Sequence, residues 1–207
     1  ELVHRLDRET SGLLLIAKKK SALKALQDQF RERETGKTYY ALVKGSWPAS
    51  RKVIDLPLHK FLLPNGERRV KVTDAQDPHG QRSISLVRVV QRWPAPPSVA
   101  ALAPQGFSLL AVTIKTGRTH QIRVHLASIG HPVLADKIYS GRDSIHMKSF
   151  APNLTEEEDS LLLGRQALHA FRLRFKHPRT NQLLEIKAPV PSDIQQTLEA
   201  LRLHKKP

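Results

Sequence analysis

Hydrophobic and polar positions alternate, cluster or recur along this chain in ways that predict its elements. "GLLLIA" (12–17) is a continuous apolar run bounded by the polar turn "DRETSG", which predicts a short buried strand. Leu23, Leu26 and Phe30 recur at helical spacing, which predicts a helix to about Arg33 with Ser21 as its cap. "KTYYALVKG" (37–45) alternates as a strand, with Tyr39, Ala41 and Val43 on one face. "SISLVRVVQRW" (83–93) and "FSLLAVTIKTG" (107–117) are further strands, joined by a Pro- and Ala-rich loop, "PAPPSVAALAPQG". In "THQIRVHLASIG" (119–130), Ile122, Leu126 and Ile129 form a helical stripe that ends at Gly130. Residues 140–167 read as irregular, with the acidic run "EEED" (156–159) in a solvated loop or short surface helix. "HAFRLRFKHP" (169–178) alternates and turns at "HPRTNQ" into "LLEIKAP". A last helix from Ser192 buries Ile194, Leu198 and Leu201.

Strands that return through turns, with few helices, predict one mixed α/β (α+β) domain built on a largely antiparallel sheet flanked by helices and loops. At 207 residues and 40% hydrophobic content the chain can bury an independent core. No apolar run reaches the roughly 20 residues needed to cross a membrane, and none has the layout of a signal peptide. Cysteine is absent, which excludes disulfides, thiolate catalysis and thiolate zinc sites and fits a cytoplasmic protein.

Charge changes the picture most. Thirty-four Lys and Arg against 19 Asp and Glu leave a net charge of +15. A polyanion partner follows, because each phosphate neutralised releases condensed counterions. No basic amphipathic helix points to a membrane surface. Two Trp, three Tyr and six Phe are too few for an open base-stacking platform. RNA or DNA bound by charge is the expectation.

Three apparent motifs carry nothing. "TGKT" (35–38) lacks the earlier Gly of a phosphate-binding loop, because Arg31 stands there. His120 and His125, five apart, do not stack on one helical face as a zinc pair would. "NLT" (153–155) matches a glycosylation sequon with no sign of secretion. What remains is "HRLDRETSG" (4–12), "KTYYALVKG" (37–45) and "GRTHQIRVHLASIGHPVLAD" (117–136). Singly each has an ordinary reading: Asp7 as a turn acceptor, Tyr39 as core, Arg123 as a surface cation.

Together these stretches resemble the RluA family of pseudouridine synthases. That family's signature is His-Arg-Leu-Asp followed by Thr-Ser-Gly, then Lys-x-Tyr-x-Ala-x-Val-x-Gly, then Gly-Arg-x-His-Gln-Ile-Arg-x-His. "GHPVLADKIY" and "RQALHAFRLRFKHP" continue the likeness over nearly the whole chain, with most similarity to members acting on large-subunit ribosomal RNA. The resemblance implies the pseudouridine-synthase fold and isomerisation of RNA uridines to pseudouridine by a cofactor-independent, metal-free monomer. It also implies roles. Asp7 is the carboxylate nucleophile, attacking C1′ or C6 or assisting a glycal. Arg123 is its ionic partner, and Tyr39 stacks on the uracil and is a candidate for the C5 proton step. Arg5 fills the space left by the extruded base. Arg118, His120 and Gln121 are candidates for RNA contact, the last two equally for contact with a neighbouring loop. His4 is read as structural support, and Thr10, Ser11 and Gly12 as shaping the turn that presents Asp7.

Relatives usually carry a strand before His-Arg-Leu-Asp, and many an S4-type RNA-binding domain. The expectation is a catalytic domain over 1–207 without either. A non-catalytic RNA-binding or ribosome-assembly factor on the same fold is the alternative, and its mark would be loss of Asp7, Tyr39 or Arg123. All three are present. A metal-dependent nuclease would need clustered carboxylates.

Overall fold

A computed structural model describes residues 1–95 and 103–203. Its frame is a seven-stranded sheet in the order β1-β10-β2-β7-β6-β3, with β11 also on β10. The strands are β1 (Ser11–Gly12), β2 (Gly36–Lys44), β3 (Val53–Asp55), β6 (Ile84–Trp93), β7 (Phe107–Ile114), β10 (Leu168–Lys176) and β11 (Leu183–Lys187). Every pairing is antiparallel except the short parallel contact of β1 with β10. The expected mixed fold with a mostly antiparallel sheet is therefore present.

Two further hairpins lie off this sheet, β4 (Leu58–Leu62) with β5 (Arg68–Val72), and β8 (Ile145–His146) with β9 (Leu161–Leu163). Among the described residues three α-helices complete the fold: α1 (Lys20–Arg31), α2 (Gln121–Ser128) and α3 (Ser192–Leu203). The main core gathers Leu42 and Val43 of β2, Leu110 and Val112 of β7, Leu126 of α2, and Ile194 and Leu201 of α3. A second cluster seats α1, through Leu26, against Leu173 and Phe175 of β10. A third holds the β4–β5 hairpin on α2 through Leu58, Val70 and Val124.

Three details correct the sequence reading. Of the run 12–17 only Gly12 belongs to a strand, β1, because β11 takes over the same edge of β10 from Arg172 onward. Gly12 turns the chain away with φ +112°, and a Cβ there would lie 2.3 Å from the Ala170 carbonyl oxygen. Beyond it Leu13 and Leu15 pack on the second cluster, while Leu14 and Ile16 face outward. Helix α1 begins after Lys19 with no side-chain cap, so Ser21 sits inside its first turn. Helix α2 is no amphipathic stripe, since every residue from Gln121 to Leu126 is buried. Its C-terminal stop is as expected, with Gly130 at φ +85°.

The β8–β9 hairpin gives part of 140–167 an order that its irregular composition does not announce. Of the expected Pro- and Ala-rich loop, residues 96–102 lie outside the described residues. Among the described residues no helix is long and apolar enough to cross a membrane.

Candidate active site

The turn carrying Asp7 is fixed from behind. Its own carbonyl accepts the Thr10 N–H at 3.0 Å, and Glu9 adopts a left-handed φ of +71°. Gln166 donates to the Arg8 carbonyl and to the Thr10 hydroxyl, and Arg165 donates to the Glu9 carbonyl. Ser11 and Gly12 complete the clamp on β10. The Glu9 carboxylate turns aside to Lys137 at 3.0 Å. Among the described residues Asp7 is left as the single acid lining the cleft, its side chain 19% exposed.

Arg123 approaches Asp7 from α2, with Nη1 3.6 Å from Oδ2. Its other donors are committed: Nε to Asp136 Oδ2 at 2.7 Å and Nη2 to Asp136 Oδ1 at 2.8 Å. Asp136 is fully buried and also accepts the N–H groups of Ile138 and Tyr139. Such a bidentate fork sets the guanidinium plane as well as its charge. Tyr139 closes the stack, its ring centroid 5.1 Å from the Arg123 guanidinium carbon. Burial works against the Arg123 charge. The hydrogen bonds and charge of Asp136, with the charge of Asp7, more than restore it, so its pKa lies above the ordinary value.

Tyr39 enters from the middle of β2 and is nine-tenths buried. Burial, reinforced by the nearby Asp7 charge, pushes its phenol pKa well above the ordinary tyrosine range. The phenol is therefore protonated at neutral pH. His4, on the entrance strap, stacks on Phe30 at 4.6 Å, and its Nε2 accepts the Leu15 N–H. These two contacts hold the imidazole at the wall of the cleft.

Asp7 and Tyr39 open onto one cleft of about 480 Å³, which Arg5, Arg118 and Gln121 also line. Gln121 has its amide fully engaged. Oε1 accepts from the Thr116 hydroxyl and the Arg118 N–H, and Nε2 donates to the Ile84 carbonyl and the Ser85 hydroxyl. These four hydrogen bonds tie Gln121 to the 116–118 turn and to the start of β6. His120 stands at φ +52° before α2, with Nδ1 2.9 Å from the Tyr139 hydroxyl. Burial lowers its pKa, and it is neutral at pH 7. Asp136 and Tyr139 carry no role in the sequence reading. Their one available signal is an acid directly after the apolar run Val133–Ala135 in "GHPVLADKIY".

One carboxylate, a buried arginine 3.6 Å from it and a tyrosine thus meet at a single cleft on this sheet. The chain matches the RNA pseudouridylate synthase family over residues 1–128 and belongs to it. It is 40% identical over 205 residues to ribosomal large subunit pseudouridine synthase C of Pasteurella multocida, covering 99% of this chain and 55% of that protein. It is 41% identical over 202 residues to the protein of that name from Escherichia coli K12, covering 98% of this chain and 56% of that protein. The chain thus spans little more than half the length of these relatives. Among solved structures it resembles human RNA pseudouridylate synthase domain containing 1, at TM-score 0.67 and 25% identity over the whole chain and 81% of that protein. It shares the fold of human RNA pseudouridylate synthase domain containing 4, at TM-score 0.71 and 22% identity over 97% of this chain and 75% of that protein.

Proposed function

We propose that this chain is the catalytic domain of a cytoplasmic, monomeric pseudouridine synthase acting on RNA, with large-subunit ribosomal RNA as its substrate. The supporting observation is the Asp7–Arg123–Asp136 line at the cleft, in a chain of this family that is about 40% identical to two named ribosomal synthases.

The reaction breaks the N1–C1′ bond of uridine, turns the uracil and joins C5 to C1′. Atoms and oxidation state are conserved once the C5 proton has left and N1 has gained one. Asp7 supplies the nucleophilic carboxylate, with the Arg123 guanidinium 3.6 Å from its Oδ2. Tyr39 packs on the detached ring. Its raised pKa keeps the phenol protonated at neutral pH, which favours water as acceptor of the C5 proton. Arg5 occupies the gap left by the extruded nucleotide, and Arg118 meets the backbone. His120 and Gln121 act through Tyr139 and the 116–118 turn. A metal-dependent nuclease is disfavoured, because Glu9 leaves toward Lys137 and Asp136 is saturated by Arg123.

Tritium release from ribosomal RNA labelled at uridine C5, with EDTA present, tests the reading. Release by the wild type that disappears in Asp7→Asn supports it. Equal release by Asp7→Asn removes Asp7 from the chemistry, and binding without any release supports a non-catalytic RNA-binding factor.

A further inference from the structure

Beyond Tyr39, toward the start of β2, the cleft holds donors that the uracil chemistry does not use. Alternation along extended chain puts residues 35, 37 and 39 on one side. Thr35, Lys37 and Tyr39 all line the cleft, whereas Thr38 lines a groove on the opposite face. Lys37 is half-buried, its ammonium 5.2 Å from the centre of the Phe30 ring. It forms no ion pair with any carboxylate among the described residues. Thr35 is more than nine-tenths buried, and its hydroxyl has no hydrogen-bond partner. Gly117 leaves room for the ammonium, since a Cβ there would lie 3.3 Å from Nζ.

These groups call for an anion. Both can donate, and the ammonium carries a charge that burial penalises until an opposite charge meets it. Burial accordingly lowers the Lys37 pKa. Among the described residues Asp7 is the one acid lining the cleft, against six cations that include Arg33, Lys115 and Arg118. A neutral base edge presents N–H donors as well as carbonyls, and this end of the cleft has no carboxylate to receive them. Two residues of strand separate Lys37 from Tyr39 by about 7 Å, a displacement toward the next unit of the RNA chain.

The geometry points to a phosphate subsite, in which Lys37, with Thr35 beside it, receives the backbone phosphate of a nucleotide flanking the target uridine. This inference rests on the cleft being the site of an RNA uridine. Lys37 is a positioning residue in it, holding the strand so that the base meets Asp7 and Tyr39.

The test is equilibrium binding of a ribosomal RNA transcript across a salt series, by wild type, Lys37→Met, Lys37→Arg and Thr35→Val, with tritium release read in parallel. Lys37→Met should bind about tenfold more weakly at low salt. Its log–log salt slope should be shallower by about 0.7, the increment that one neutralised phosphate contributes on a single strand. Lys37→Arg should retain the slope, and Thr35→Val should weaken binding without changing it. An unchanged slope in Lys37→Met overturns the subsite. Should that variant fail to fold, RNA with single methylphosphonate substitutions poses the same question to wild type and Lys37→Arg. One flanking position should cost both proteins the same slope increment, and the lack of any such position overturns the subsite. Wild type that binds RNA but releases no tritium overturns the synthase reading and leaves the slope comparison valid. Failure of wild type to bind RNA overturns both.

Discussion

Arg123 and Asp136 meet through two hydrogen bonds, at 2.7 and 2.8 Å, while a third guanidinium nitrogen stands 3.6 Å from Asp7. The closer carboxylate is thus the buried one, and the contact with Asp7 is long. Asp136 orients the arginine, and Asp7 keeps oxygen lone pairs free.

Replacing Asp136 by Asn should therefore harm both stability and rate. It leaves a buried guanidinium without its main counter-charge, at a cost of about 3–5 kcal/mol. A misplaced Arg123 should lower turnover about 100-fold, the scale associated with ångström errors in positioning. Urea unfolding and single-turnover tritium release read the two effects separately. An Asp136→Asn protein with wild-type rate would show that the fork does not orient the site.

Tyr39→Phe should keep most activity if the ring rather than the hydroxyl serves the uracil, whereas Tyr39→Ala should lose it. Burial and the Asp7 charge hold the phenol protonated, so the wild-type pH–rate profile should show no Tyr39 inflection between pH 6 and 10. The same shift affects stability. The folded phenol keeps its proton where the unfolded one loses it, above about pH 10. This stabilising contribution is complete below pH 10 and declines as pH rises further. Tyr39→Phe should flatten that alkaline decline in a series of urea midpoints.

Acid should loosen the fold through its buried imidazoles. Burial lowers the pKa of His4, His120, His125 and His169. Unfolded histidine takes up a proton near pH 6.5, and these folded ones resist it to lower pH. Stability present above pH 6.5 is therefore lost as pH falls through the lowered values. His125 is the clearest case, fully buried between the Ser85 hydroxyl at 3.0 Å and the Leu56 carbonyl at 2.9 Å. Comparing His125→Gln with wild type at pH 7.0 and 5.5 should show a smaller acid-dependent drop in the variant.

Gly12→Ala should destabilise the protein by more than about 1 kcal/mol, since it adds a backbone clash to a φ that alanine resists. A thermal melt checks it. Tritium release should fall as well, because Gly12 anchors the Asp7 turn to β10.

Much of the sheet was legible because its strands are apolar runs bounded by turns, alternating in 84–93 and buried on both faces in 107–114. Helix α3 was equally plain, with Ile194, Leu198 and Leu201 all buried as its period requires. The run 12–17 misled, because hydrophobicity records burial but not the edge that β11 already occupies. The β4–β5 hairpin escaped notice, since only Leu58 and Val70 of its strands are fully buried among basic neighbours. In the site, the family resemblance of three stretches pointed to Asp7, Tyr39 and Arg123, and the fold brings these near one another. Asp136 and Thr35 stayed hidden because their significance lies in partners, one saturated and one missing, that spacing along a chain does not reveal.

The clamp of the Asp7 turn on Arg165, Gln166 and β10 sets an order of events during synthesis. Residues 7–12 leave the ribosome well before their partners, which lie more than 150 positions downstream. At the usual 5–20 residues per second, the front segment waits about ten seconds or more for β10. Until then the Asp7 carboxylate has no fixed place opposite Arg123, so the cleft is assembled only after β10 has been made.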